Sequence, residues 1–311
     1  MKMAIVTVEH LSHRYALQWA VRDVSFSIEE CGVTGLLGSN GAGKSTIMNV
    51  ICGALSPTAG KVIIGGHNIA TDPVAAKACI GFLPQRPPLY GDLTVSEYLV
   101  FAARLRDMKE KDIPQAVESV LRRCGLTDYA KRLIRNLSGG YQQRVGIAQA
   151  IIHNPALVVM DEPTNGLDPN QIMEVRKLIT DISKDRAVLI STHILSEVQA
   201  LCSRIMMIEH GSLVFNGTMD EFDSSVRPDS FVISLERAPL EEEMMKVPGV
   251  LRVEPLSEYG DRFRVIYDGD RETLSRMAAA AVDGGWGLYG IGVEKTSMND
   301  IFAHLAATGK R

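Results

Sequence analysis

The sequence predicts an α/β fold with a small α+β domain behind it, and three observations carry that expectation. The stretches "ALVVMDEPTNGLD" and "RAVLISTH" are continuous apolar runs ending in polar residues, the pattern of central parallel strands buried on both faces. "GVTGLLG", the glycine loop after it and "STIMNVICGAL" read as strand, loop and helix, with Ile47, Ile51 and Leu55 at helical spacing. After the polar stretch "FDSSVRPDS" the segments "FVISL", "EEEMMKV", "LRVEPL", "RFRVIY", "ETLSRMAAAAV" and "WGLYGIGV" follow a β-α-β-β-α-β order, which is ferredoxin-like. We therefore expect a main domain over residues 1–224 and an accessory domain over 225–311.

The remaining elements follow in chain order. "AIVTVEH" and "VSFSI" are short β-rich runs between polar turns, which predicts a small antiparallel sheet at the N-terminus. "LSPTAGKVIIGG" gives a Pro/Gly turn that ends the first helix, and then a strand. "IGFLPQRPPLYGDLT" reads as a proline-broken loop. Thr94 and Glu97 have the spacing of a capping box, so a helix begins there, and residues from about 90 to 136 are mostly helical. In "YQQRVGIAQAII" the residues Tyr141, Val145, Ala148 and Ile152 fall along one helix face, which puts Ser138 at the N-cap. In the accessory domain Tyr259 to Asp261 turns a hairpin, and "MNDIFAHLAA" makes a last helix.

A chain of 311 residues with 46% hydrophobic content buries a full core. Its formal charge of −4 gives no bulk attraction to nucleic acid or anionic lipid, so nucleic acid is not an expected partner. The five cysteines are scattered and include no CxxC pair, which fits buried thiols in a reducing, cytoplasmic setting rather than disulfides or zinc. No stretch approaches ~20 uninterrupted apolar residues, so any action at a membrane requires another protein to span it.

The glycine loop carries the first chemistry. Gly38, Ser39, Asn40, Gly41, Ala42, Gly43, Lys44 and Ser45 satisfy G-x-x-x-x-G-K-[ST] in full. The glycines permit a tight loop whose N–H groups wrap phosphates, the following helix presents its positive end, Lys44 reaches the terminal phosphates and Ser45 ligates Mg²⁺. This makes the main domain a P-loop NTPase. Asp161 ends a buried strand, where it suits the Mg²⁺ shell, and Glu162 beside it is a candidate to polarise an attacking water. His193 ends another strand, within reach of a γ-phosphate, and Gln85 lies in a loop where it can touch metal or water. Tyr15 offers an aromatic face to adenine, with Trp19 as the alternative. "LSGGYQQR" at 137–144 is a second glycine pair at a helix start, and one chain has no evident use for two phosphate-binding loops.

The order Tyr15, "GSNGAGKST", Gln85, "LSGGYQQR", "LVVMDEP", "NGLD", His193 resembles the nucleotide-binding domain of an ABC transporter over about residues 1–220. The resemblance implies an ABC-type antiparallel β subdomain and a helical subdomain at about 90–150. It implies ATP and Mg²⁺ as cofactors, with Lys44, Ser45 and Thr46 on phosphates and metal, Asp161 and Gln85 on metal, and Glu162, His193, Lys44 and Gln85 in catalysis. In this family two such domains pair head to tail, so Ser138, Gly139 and Gly140 serve the partner's γ-phosphate, and Asp168 of the D-loop "NGLD" is counted with the nucleotide-binding residues. Dimerisation with a second ATP-binding subunit, expected to be a copy of this chain, answers the question of the second loop. Ser39, Tyr141 and "NGLD" depart from the commonest family residues without removing a catalytic group.

"IGFLPQRPPLYGDLTVSEYL" and "EKTSMNDIFAHLA" resemble the ATP-binding subunits of ABC-2 type exporters. That resemblance implies a separate integral membrane permease docking on residues around 86–110, and a peripheral location at the inner face of the cytoplasmic membrane. The accessory domain carries no chemical motif and is expected to serve dimer contact or regulation. A soluble ATP-driven switch of iron–sulfur assembly or nucleic-acid-associated type is the alternative function.

Overall fold

The structure is a computed structural model that describes residues 4–223, 225, 230–257, 261–293 and 301. Two long strands, β1 (Val6–Tyr15) and β2 (Gln18–Ile28), pair antiparallel. Next, β3 (Gly32–Leu37) runs through the glycine loop into α1 (Lys44–Ile51). The chain then returns to the first sheet with β4 (Ala59–Ile64) and β5 (His67–Asn68), in the order β2-β1-β4-β5. The antiparallel N-terminal sheet is thus as read from the short β-rich runs between polar turns.

The second sheet surrounds β3. A short helix, α2 (Pro73–Ala78), leads into β6 (Ile80–Leu83). Two helices, α3 (Val95–Leu105) and α4 (Ile113–Arg123), precede α5 (Gly139–Ile151). Then come β7 (Leu157–Asp161), α6 (Pro169–Ser183), β8 (Ala187–Thr192), α7 (Leu195–Leu201), β9 (Arg204–Glu209), β10 (Ser212–Thr218) and α8 (Met219–Asp223). The strand order is β10-β9-β3-β8-β7-β6. All neighbours are parallel except β10, which runs antiparallel to β9.

Burial explains the central strands. β8 is buried at all six positions and β7 at four of five. Ile47, Met48 and Ile51 of α1 are fully buried between the first sheet and residues such as Leu36, Val159 and Met206. Burying each such side chain stabilises by about 1.5–3 kcal/mol. On the other side α6 and α7 pack against β3 and β8.

One expectation is corrected. "IGFL" is strand β6, not loop: its register with β7 runs Ile80 to Leu157 through Leu83 to Met160, and Pro84 stops it. Helix α5 starts after Ser138 as expected, and of the face read from the sequence Val145, Ala148 and Ile152 are buried, but burial extends around the helix. Gly140, Gln143, Val145, Gly146, Ile147, Ala148, Ala150 and Ile151 are all buried, because β6, α3, α4 and α6 all pack around the helix. The capping box on α3 is present, with Glu97 N–H donating to Thr94 Oγ1 at 3.2 Å and Thr94 N–H to Glu97 Oε2 at 2.8 Å.

The chain divides into two compact units, the second beginning at Asp220. That unit contains β11 (Ser230–Leu235), α9 (Glu241–Met244), β12 (Val250–Pro255), β13 (Arg262–Tyr267), α10 (Arg271–Asp283) and β14 (Leu288–Val293). The element order is β-α-β-β-α-β, and the sheet is antiparallel in the order β12-β13-β11-β14. Phe231, Ile233, Val265, Met277 and Ala281 form its separate core. Tyr259 of the expected hairpin turn lies outside the described residues, as does the expected last helix apart from Ile301.

Candidate active site

The carboxyl ends of β3, β7 and β8 and the β1–β2 turn surround one cavity of about 660 Å³. That is a usual size for a small-molecule site. Tyr15, Asn40, Gly41, Gly43, Lys44, Ser45, Thr46, Gln85, Asp161, Glu162 and His193 all line it, so residues read separately from the sequence converge here. Trp19 lines it as well, alongside Gln18.

The glycine loop is held tightly. A Cβ on Gly38 would lie 2.2 Å from the Ile208 carbonyl oxygen, and one on Gly43, which has φ 110°, would lie 2.5 Å from the Ala20 oxygen. Lys44 follows directly and is only 7% exposed. Its Nζ donates to the carbonyls of Gly38 at 2.7 Å and Ser39 at 2.9 Å. Burial pushes the Lys44 ammonium below the ordinary lysine range, while Glu162, Asp161 and Glu209 oppose that shift. Ser39 is fixed by Glu209, which accepts from its hydroxyl at 2.7 Å and its N–H at 3.4 Å.

Asp161 and Glu162 are consecutive, and in a regular strand they would face opposite sides. Both line the cavity because Glu162 takes a left-handed backbone, φ 46°, where β7 ends. That conformation costs roughly 1–2 kcal/mol in a non-glycine residue. It is held by the Glu162 N–H, which donates to the Ser191 carbonyl at 3.1 Å and its hydroxyl at 3.2 Å. The Ser191 hydroxyl also donates to Asp161 Oδ1.

Three groups from three segments clasp the Glu162 carboxylate. Gln85 Nε2 donates to Oε2 at 2.6 Å, Asn165 Nδ2 donates to the same oxygen at 3.1 Å, and His193 Nδ1 lies 2.8 Å from Oε1. Beside Lys44, this arrangement can hold a polyphosphate and position a water against it. Asn165, Ser191 and Glu209 are site residues that sequence reasoning did not assign. Ser191 lies opposite Asp161 in the β7–β8 register, so the signal was the end of the second apolar run, two residues before His193.

Other candidates stand elsewhere. Gly38, Ser39 and Ala42 belong to the loop but do not line the cavity. Ser138 holds the N-cap position of α5 with its side chain making no cap bond, and both it and Gly139 are exposed. Gly140 is packed against Gln171, whose Cδ would lie 2.6 Å from an added Cβ. Asp168 caps α6, accepting from the N–H groups of Asn170 and Gln171 at 3.0 Å each. Ser138, Gly139, Gly140 and Asp168 do not reach this chain's own cavity.

Residues 21–165 match the family model described as ABC transporter. The chain is 36% identical to the ABC transporter ATP-binding protein NatA of Bacillus subtilis, over 68% of this chain and 86% of that one. It is 30% identical to the bacitracin transport ATP-binding protein BcrA of Bacillus licheniformis, over 98% of both chains. It is 34% identical to the linearmycin resistance ATP-binding protein LnrL of Bacillus subtilis, over 73% of this chain and 74% of that one. A solved ATP-binding subunit of an ABC transporter superposes with a TM-score of 0.65 at 30% identity, covering 71% of this chain and 92% of its own. An ATP-binding cassette solved as a dimer in a post-hydrolysis state, bound to ADP and Pi, gives 0.62 at 25% identity, covering 69% and 98%.

The chain belongs to the ABC transporter family of ATP-binding proteins. It is an ATPase subunit of that family, and among its described residues no helix is long and apolar enough to cross a membrane.

Proposed function

We propose that this chain powers an ABC-2 type exporter as one of two ATP-hydrolysing subunits, at the inner face of the cytoplasmic membrane. The observation that carries the hydrolytic part is the Glu162 carboxylate, clasped by Gln85, Asn165 and His193 inside the cavity that Lys44 closes. The exporter part is supported by the relatives named for bacitracin transport and linearmycin resistance, the first matching across 98% of both chains.

In this reading Tyr15 and Trp19 face the adenine, and the loop N–H groups, Lys44 and Thr46 hold the phosphates. Ser45, Asp161 and Gln85 present oxygen donors to the same cavity. Among the described residues no cluster of three or more His, Cys, Asp or Glu would hold a metal without phosphate oxygens. That donor set fits Mg²⁺, which takes one or two carboxylates plus substrate phosphates and, when bound, neutralises charge on the transferring group. Glu162 accepts the proton of a water as its oxygen bonds to the γ-phosphorus and the bond to the bridging oxygen breaks. His193 holds Glu162 in place and contacts the γ-phosphate. Ser138, Gly139 and Gly140 of a second copy close over that phosphate, so hydrolysis releases the pair.

The permease is a separate chain. Gln85 links the site to it, and Tyr90, Phe101 and Leu105, which are 57%, 36% and 67% exposed, offer it an apolar surface. The test is to tag the chain in its host, solubilise membranes in mild detergent and identify the co-purifying proteins by mass spectrometry. A stoichiometric integral membrane protein is expected. A chain found only with soluble partners would overturn the exporter reading in favour of a soluble ATP-driven switch.

A further inference from the structure

Glu197 stands four residues after His193, on α7, and its side chain is 2% exposed. Its two carboxylate oxygens serve two different segments of the site. Oε1 accepts from the hydroxyl of Thr164, two residues after Glu162, and Oε2 accepts from the hydroxyl of Thr192 at 2.9 Å, one residue before His193. Both threonines are buried, at 4% and 2% exposure. The Thr192 oxygen in turn accepts from the Ile194 N–H at 3.0 Å, so the bonded chain brackets His193 on both sides. Among the described residues the cation nearest to it is Arg176 of α6, whose guanidinium nitrogen lies 3.9 Å away and whose Nε has no hydrogen-bond partner.

Such a carboxylate is poor value for stability. Removing a charge from water is costly, and a partner at 3.9 Å returns little of it. A well-packed apolar residue would serve a core better. What an apolar residue cannot do is accept two hydroxyl bonds at once and thereby fix the spacing of two loops.

We infer that Glu197 is a positioning residue for hydrolysis: it ties the segment carrying Glu162 to the segment carrying His193, and so sets the 2.8 Å contact between them. This inference rests on the roles proposed above for Glu162 and His193. Glu197 does not line the cavity, so it acts through those two residues and not on the phosphates.

The test measures ATP turnover, nucleotide affinity and melting of the full-length chain as wild type, Glu162→Gln, His193→Ala, Glu197→Gln and the His193→Ala/Glu197→Gln double variant. In Glu197→Gln the amide nitrogen can only donate, so one threonine hydroxyl must turn to accept and its buried proton loses its acceptor; the clasp loosens while the volume is kept. A misplacement of about 1 Å costs on the order of 100-fold in rate. We expect Glu197→Gln to lower kcat roughly 10- to 100-fold with KM for ATP within about twofold. The double variant should be no slower than His193→Ala alone, because the two residues act as one unit.

Three results would overturn the inference: wild-type kcat in Glu197→Gln, a loss carried by KM, or full additivity with His193→Ala. Wild-type turnover in Glu162→Gln would instead sink the active-site reading itself, and this inference with it. Should Glu197→Gln fail to fold, Thr192→Val decides. It keeps the shape and removes one of the two bonds, and the same kcat-only loss supports the role while an unchanged kcat refutes it.

Discussion

At the residue scale the glycine loop makes unequal demands on its three glycines. Gly38 and Gly43 are pinned against backbone oxygens, whereas a Cβ on Gly41 would meet nothing within 4 Å and only its φ of +81° resists substitution. Forcing a methyl into a packed site costs about 1–3 kcal/mol. Gly38→Ala should therefore lower both the melting temperature and ATP affinity more than Gly41→Ala, as thermal denaturation and nucleotide titration will show; equal losses would contradict the packing argument. His153 makes a pH prediction. Burial, helped by the Arg106 cation, pushes its imidazole from 6.5 down to about 4. The unfolded chain then binds more protons than the folded one across that window, so its contribution is intact above 6.5 and is lost as pH falls towards 4. His153→Asn, which cannot titrate, should flatten the fall in melting temperature between those values. At this scale the sequence was legible wherever a residue sat inside a continuous motif. Glu209 escaped because it meets its partner through the fold, reaching Ser39 from 170 positions away, and Asn165 because only the turn after β7 brings its amide back onto Glu162 three residues earlier.

At the element scale the long apolar runs were readable because β7 and β8 are buried on both faces and have no alternation to hide. β6 was not, since four residues before a proline carry too little pattern to separate strand from loop, and only pairing with β7 decides. The face of α5 was legible, whereas its burial all round was not. Periodicity reports one neighbour, and this helix has several, with Gly146 admitting Leu83 and Pro87 so closely that a Cβ would lie 2.7 Å from the leucine side chain. The capping box of α3 was legible because its chemistry is local. Thr94→Ala should cost about 1 kcal/mol, seen as a lower denaturation midpoint, while ATP turnover at ambient temperature stays at the wild-type rate. A midpoint unchanged within error would mean the cap contributes nothing.

At the scale of the whole molecule the chain holds a cavity with a P-loop, and a glycine pair at the start of α5 that does not reach it. Ser138 and Gly139 stand exposed at the start of α5, with the Ser138 hydroxyl uncommitted to its own helix. Replacing Ser138 by Arg should cut turnover strongly while leaving ATP binding by the single chain unchanged; unaltered turnover would remove the proposed role of that helix in a second copy's site. The proposed function requires an ATP-held pair of chains that hydrolysis separates. Its most direct measurement is light scattering of Glu162→Gln at saturating ATP and Mg²⁺, with turnover recorded on the same sample. Twice the single-chain mass is expected, with no turnover, and a return to single-chain mass when ATP is exchanged for ADP. A variant that keeps the single-chain mass at saturating ATP would contradict it.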